Sequence, residues 1–279
     1  MAVQADFLAA YRAVLAKWPD DVEALDVPTP YGATRVHVCG PADGAPLVLL
    51  SGGGATSTVW FGVAAKLSGA LRVYAVDLIG DAGLSVPRGR RVTDGKDLTH
   101  WLDIVFDHCG LDTVSLAGHA YGGWLALGYA AHAPERVHRL ALLDPTDCFA
   151  GLAMGYRLRS VPSLAWHNRR TLRALLRWEA GGRPLDADWL RLVGLGHELP
   201  GTRLLMSRQP SAQRLAALTA PTLVLLAGRS RAHNVAKVAD SARELLPAAR
   251  VITLAEATHH TMPTEDADQI GAELANHFA

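Results

Sequence analysis

The sequence predicts a single α/β domain with a mostly parallel central sheet flanked by helices, and three observations predict it. Short apolar runs, each ending in glycine or a polar residue, recur from Leu47 to Leu254, and runs apolar on both faces suit strands covered by helices on either side. Helical periodicities fill the gaps, so that strand and helix alternate. One run, Val114 to Ala117, passes through a tight turn straight into a helix start, and the residue at that turn is Ala120.

Each element follows in chain order. Met1 to Asp20 carries Asp6, Arg12 and Lys17 among its apolar residues and reads as an amphipathic helix ending at Pro19, not as a secretion signal or membrane anchor. Tyr31 to Cys39 has β-branched character, and Gly40-Pro41 with Asp43-Gly44 mark a turn after it. The strand series is then Leu47 to Leu50, Leu71 to Val76, Val114 to Ala117, Leu140 to Leu143, Thr222 to Ala227 and Val251 to Leu254. Helical patterns occupy Thr58 to Leu67, Asp97 to His108, Tyr121 to His132, Asn234 to Leu246 and Glu265 to His277. Ligands are expected at the carboxyl ends of the strands.

The alternation fails from Cys148 to Arg214, which has helical periodicity but no strand pattern. Residues 148–214 are therefore expected to form a helical cap inserted into a core of residues 1–147 and 215–279. The cap holds eleven arginines against four acids. Either these arginines select an anionic substrate or they solvate one face of the cap, and ordinary surface composition favours the second.

A chain of 279 residues that is 49% hydrophobic can bury one large core. Lys+Arg and Asp+Glu balance at 27 each, which gives no global case for nucleic acid or a membrane surface as partner. Cys39, Cys109 and Cys148 are odd in number and widely spaced, without a CxxC pair or zinc-ligand spacing, so a reduced, cytoplasmic protein without a metal is expected. Gly52-Gly53-Gly54 is not followed by the Gly-Lys-Ser/Thr of a phosphate loop. No cofactor is called for, and the expected partner is a small-molecule or peptide-like substrate.

The stretch Val114 to Gly123 has the form of a nucleophile elbow whose nucleophile is missing. Such an elbow holds its central residue in strained backbone geometry, so small residues must flank it two positions away on either side. Gly118 and Gly122 do so. An alanine at 120 keeps the shape and removes the oxygen that an acyl-enzyme requires.

Four blocks in order, Leu50 to Gly54, Asp77 to Ser85, Gly118 to Gly123 and His259 to Pro263, give a chain that resembles the α/β-hydrolase superfamily over nearly its whole length. It is most similar to small bacterial esterase-like or lactonase-like members with a helical cap. The resemblance implies that Gly53 and Tyr121 N–H form an oxyanion hole, with Ser51 standing where the family has histidine. It also implies a histidine base after the last strand. His259 and His260 both qualify, and the spacing to Pro263 and Glu265 favours His260. The orienting acid is usually found after the Thr222 to Ala227 strand, but Gly228 to Asn234 contains no carboxylate. Asp144 is favoured, with Asp147 and a neutral Asn234 as alternatives, although Asp144 before Pro145 also suits a turn cap. Ser51, Gly54, Trp60 and His259 are candidates for substrate binding. Trp166, Trp178 and Trp189 are further candidates for an apolar pocket, while plain core packing competes for every tryptophan. Asp77 and Asp81 are expected to shape their loop, and Cys148 lacks the adjacent histidine a substitute nucleophile would need.

The expected function is acyl hydrolysis of an ester, lactone or thioester, in a form whose nucleophile has been replaced by Ala120. Two alternatives remain at this point. One is a non-hydrolytic enzyme, an epimerase, isomerase or cyclase using the histidine and the oxyanion donors. The other is a small-molecule receptor without catalysis.

Overall fold

A computed structural model describes residues 2–202 and 204–279. In chain order the elements are α1 (Ala2–Leu15), β1 (Glu23–Thr29), β2 (Gly32–Cys39), β3 (Ala45–Leu50), α2 (Phe61–Leu67), β4 (Leu71–Val76), β5 (Val86–Pro87), α3 (Gly95–His108), β6 (Val114–His119), α4 (Tyr121–Ala130), β7 (Val137–Leu143), α5 (Met154–Trp166), α6 (Arg169–Glu179), α7 (Ala187–His197), α8 (Ala212–Leu215), β8 (Thr222–Ala227), α9 (Val235–Leu245), β9 (Arg250–Leu254) and α10 (Ala267–Phe278).

The strands form one sheet in the order β1-β2-β4-β3-β6-β7-β8-β9, with β5 paired to β2. From β4 to β9 every neighbour is parallel, while β1 and β2 run antiparallel at one edge. Alternation along the central strands feeds two cores. Val48 and Leu50 face the side of Trp101, Phe106 and Tyr129, and Leu47 and Leu49 face the side of Trp60, Ile270 and Leu274, as a period of two residues requires.

β1 escapes the sequence pattern because only Val27 among its residues is buried. It is an edge strand, which also explains why Pro28 is tolerated within it. The 3₁₀ turn Ser57–Trp60 takes the first residues of the helix expected from Thr58, and α2 begins at Phe61.

Helices α5 to α8 fill the interval between β7 and β8, and α5 to α7 lie over the carboxyl end of the sheet, where they line one cavity with Ala120 and His259. The start of the chain is tied to them. Phe7, Tyr11 and Val14 of α1 pack with Leu192 and Leu195 of α7, and Lys17 Nζ bonds Asp186 at 2.6 Å and Asp188 at 2.8 Å.

Candidate active site

Ala120 sits at φ 51°, ψ −114°, between β6 and α4. This is a conformation that a residue with a Cβ adopts only when its surroundings impose it. The surroundings are two close approaches. A Cβ at Gly118 would lie 2.2 Å from the Gly122 carbonyl oxygen, and one at Gly122 would lie 2.2 Å from that of Leu50. Backbone bonds from Ala120 N–H to Leu143 O (3.0 Å) and from Thr146 N–H to Ala120 O (3.2 Å) fix the turn to the end of β7.

One residue beyond β7, Asp144 is fully buried, has φ 42°, and donates its N–H to Leu225 O at 2.8 Å. Its carboxylate accepts from Ala227 N–H (3.0 Å), Ser230 Oγ (2.8 Å), His233 Nε2 (3.0 Å) and His259 Nδ1 (2.6 Å). Burial alone would raise the Asp144 pKa, but His233 and the other hydrogen-bond donors, His259 included, outweigh it and hold the carboxyl well below the ordinary range. Burial also opposes charging of His259. The hydrogen bond and charge of Asp144, together with the charge of Glu179, more than compensate, so its pKa lies above the usual 6.5. With Nδ1–H donated to Asp144, His259 Nε2 is left without a partner among the described residues and is the nitrogen available for proton exchange.

The structure therefore corrects the choice between the adjacent histidines. His260 does not reach Asp144. Its Nε2 lies 3.5 Å from Tyr156 Oη, its ring lies against Trp189, and burial followed by the neighbouring His259 lowers its pKa to about 4. The family spacing that favours His260 misleads because the Thr258–Thr261 turn, closed by Thr261 N–H to Thr258 O, points consecutive side chains in different directions. Glu265 does not reach either imidazole and instead accepts from Asp186 N–H. Asp147 is bonded to Ser207 Oγ, and Asn234 caps α9 through Lys237 N–H.

The His259 loop is held from three sides. In addition to the Asp144 bond, Glu179 Oε1 of α6 accepts from His259 N–H at 3.0 Å and Oε2 from His260 N–H at 3.1 Å. His119 Nε2–H donates to His259 O at 2.7 Å. Burial, then the charges of His259 and His260, lower the His119 pKa to about 3, so this donor is a neutral imidazole. Sequence reasoning missed Glu179, His119 and His233. The only signal for His233 was its place in the Gly228 to Asn234 loop, where a carboxylate was sought.

Gly53 and Tyr121 are adjacent in space, since a Cβ at Gly53 would lie 3.7 Å from Tyr121 Cβ. Neither backbone N–H has a backbone acceptor among the described residues. Gly54 N–H, by contrast, is bonded to Asp81 Oδ2 at 2.8 Å. Asp81 also accepts from Ala82 N–H, and burial pushes its pKa up to about 7. Asp77 accepts from Tyr11 Oη, Ser57 N–H and Leu84 N–H, fixing its loop.

Ala120, Tyr121, His119 and Asp81 line a cavity of about 440 Å³ that also takes in His259, His260, Gly53 and Gly54. Its apolar wall comes largely from the inserted helices, including Leu172, Leu175, Leu176, Trp189 and Val193, and no described lining residue is a lysine or arginine. Two expectations are corrected here. Ser51 is fully buried and spends its hydroxyl on Ala55 O. Trp60 is core, not cavity wall. No described arginine lines the cavity, in line with the favoured expectation that these side chains solvate the outer surface of the insertion. Of the remaining tryptophans only Trp189 lines the space, Trp166 being exposed and Trp178 lying beneath Arg159 and Arg231. Cys148 is buried outside the cavity with its thiol pushed well up by burial. No group of three or more side chains suited to holding a metal ion occurs among the described residues.

Comparison with known proteins places this geometry. The chain is 39% identical to carboxylesterase YbfK of Bacillus subtilis over 143 residues, 51% of this chain and 48% of the relative. It is 36% identical to the uncharacterized carboxylesterase nap of the same organism over 51% of this chain and 47% of that one. Each match thus spans about half the relative's length. In three dimensions the chain is similar to the crystal structure of carboxylesterase CesB (YbfK) from B. subtilis, with a TM-score of 0.92, 25% identity and coverage of 100% and 99% of the two chains. It is also similar to that of naproxen esterase from B. subtilis, with a TM-score of 0.91, 24% identity and the same coverage. Residues 47–273 match the profile of the Alpha/beta hydrolase family, and with the elbow at Ala120 set on a parallel sheet, the chain belongs to that family.

Proposed function

We propose that this site is built for hydrolysis of carboxylic esters with an apolar acyl or aryl part, through a hydroxyl at position 120 that Ala120 lacks. The observation that carries the reading is the Asp144–His259 pair, brought to the same cavity as the elbow. Esterase relatives add support from outside the chain.

With serine at 120, His259 Nε2 takes the hydroxyl proton as the oxygen attacks the ester carbonyl. Asp144 holds the imidazolium that forms, and Gly53 and Tyr121 N–H receive the oxyanion. His259 returns the proton to the leaving alcohol, then activates a water that releases the acid. With alanine at 120, the same cavity binds the ester without forming an acyl-enzyme. The apolar side chains of the inserted helices, with no lysine or arginine among the described lining residues, favour an apolar, uncharged substrate over a carboxylate or phosphate.

Ala120 itself favours a second reading. An unpartnered His259 Nε2 facing two N–H donors is also the equipment for removing a proton next to a carbonyl and holding the enolate. Restoring the oxygen separates the two. Ala120→Ser is expected to label with a fluorophosphonate and hydrolyse p-nitrophenyl butyrate, and Ala120→Ser with His259→Ala to do neither. An Ala120→Ser protein inert in both assays would overturn the esterase reading and leave the enolisation chemistry.

A further inference from the structure

We propose that the outer face of α5 and α6 docks on an anionic lipid surface, with the mouth of the cavity turned toward it. Helix α5 is inside out. Tyr156, Ser160 and Ser163 line the cavity, whereas Met154, Leu158 and Val161, spaced four and three residues apart, point to solvent together with Ala165. This is the spacing of one helical face. Met154, Leu158, Val161, Leu164 and Trp166 are each 54% to 67% exposed. Neighbouring positions that large and apolar rarely stay in water on a monomer, and they mark an interaction surface.

The charge beside the stripe says what covers it. From Cys148 to Trp178 the chain contains Arg157, Arg159, Arg169, Arg170, Arg173 and Arg177 and no aspartate or glutamate. Arg170, Arg173 and Arg177 are exposed on α6, while Leu175 and Leu176 of the same helix are buried beneath. These three and Arg157 make no ion pair with any described residue. Arg159 of α5 lies over the Trp178 ring of α6 at 4.7 Å, so the helices that carry the apolar and basic stripes lie side by side. An apolar helix face flanked by arginines is the composition that lies in the boundary between headgroups and acyl chains of an anionic membrane. A second copy of this chain would set arginine against arginine, an arrangement that costs free energy in a two-fold contact. The net charge of zero hides this face, because acids elsewhere balance it.

The location adds a purpose. Leu164 is both exposed and part of the cavity wall. Leu164 thus joins the cavity wall to the exposed apolar stripe of α5, and apolar molecules dissolved in a bilayer would enter beside it without crossing water. The docking itself does not depend on the esterase reading.

The test is co-sedimentation of the chain with vesicles of phosphatidylcholine mixed with phosphatidylglycerol, and with vesicles of phosphatidylcholine alone. The expected result is binding to the mixed vesicles that weakens as salt is raised. The triple variant Arg170→Ala, Arg173→Ala, Arg177→Ala is expected to bind roughly a hundredfold more weakly, and Leu158→Ser with Val161→Ser about tenfold or more so. All five side chains are exposed, and the fold of each variant is checked by circular dichroism. The proposal is overturned if the mixed vesicles do not bind at low salt, if the two vesicle types bind equally, or if either variant binds as well as the parent. It is also overturned if sedimentation shows a dimer that Leu158→Ser with Val161→Ser dissociates, since the face would then join two copies.

Discussion

Glu179 and His259 are joined by a 3.0 Å hydrogen bond from the histidine's backbone N–H to the carboxylate, although one ends a helix of the insertion and the other lies on a core loop. The second oxygen takes the N–H of His260, so two adjacent donors require two acceptors. Glu179→Gln supplies one acceptor and sets an NH₂ against the other N–H. In an Ala120→Ser background the loop should shift, lowering kcat by roughly tenfold to a hundredfold with little change in KM, because misplacement of a proton-transfer group acts on the chemical step. Steady-state kinetics on a p-nitrophenyl ester check this, and loss of KM alone would refute the positioning role.

The two histidines should separate sharply in the same background. His259→Gln is expected to reduce kcat by about two to four orders of magnitude, and His260→Gln to retain more than about a tenth of it. The reverse ranking would restore the assignment that spacing alone suggests.

Turnover should be lost on the acid side at a pH above 6.5. In the proposed mechanism His259 serves as a neutral base, its pKa is raised by Asp144 and Glu179 despite burial, and falling pH protonates it. The pH profile of kcat/KM for Ala120→Ser reads this limb directly. His233→Gln, which withdraws one of the two imidazole donors to Asp144, is expected to move it.

Asp81 predicts the opposite limb. Burial pushes its pKa to about 7, and ionisation places a negative charge on Gly54 N–H, next to the Gly53 donor. Oxyanion stabilisation should weaken as pH rises through that value. Asp81→Asn in the Ala120→Ser background is expected to flatten the alkaline limb; an unchanged limb would assign it elsewhere.

Stability should fall as the solution is acidified below pH 6.5. His260 and His119 have folded-state pKa values of about 4 and about 3, so between 6.5 and those values these two imidazoles bind more protons in the unfolded chain, an effect that the single raised carboxyl of Asp81 offsets only in part. His259, with its raised pKa, contributes in the opposite sense above 6.5. Calorimetric Tm values from pH 7.5 down to 4.5 should show the loss, and His260→Gln should reduce its steepness.

Much of the core was legible because its signal is local. The runs Leu71 to Val76 and Thr222 to Ala227 coincide with β4 and β8, since a strand with most of its side chains covered, as β8 is along its whole length, is mostly apolar. The elbow was legible because its glycines answer to steric contacts within a few residues. The choice of His259 was not, since it depends on which of two neighbours a turn directs at a carboxylate 115 positions away. Glu179 was equally hidden, a single acid among arginines whose partners are backbone N–H groups and leave no mark on residue type. β1 was missed because an exposed edge strand carries no alternation.

The bond from Ala120 N–H to Leu143 O makes residue 120 and Asp144 near neighbours across one strand end, while Asp144 N–H is pinned to Leu225. The acid is thereby part of the rigid sheet, and the Gly228 to Asn234 loop is relieved of carrying it. That loop instead supplies the donors Ser230 and His233, and the close approach of the Leu254 and Ala255 carbonyls to Gly228 and the burial of Ala232 hold it in place around a carboxylate it does not itself carry.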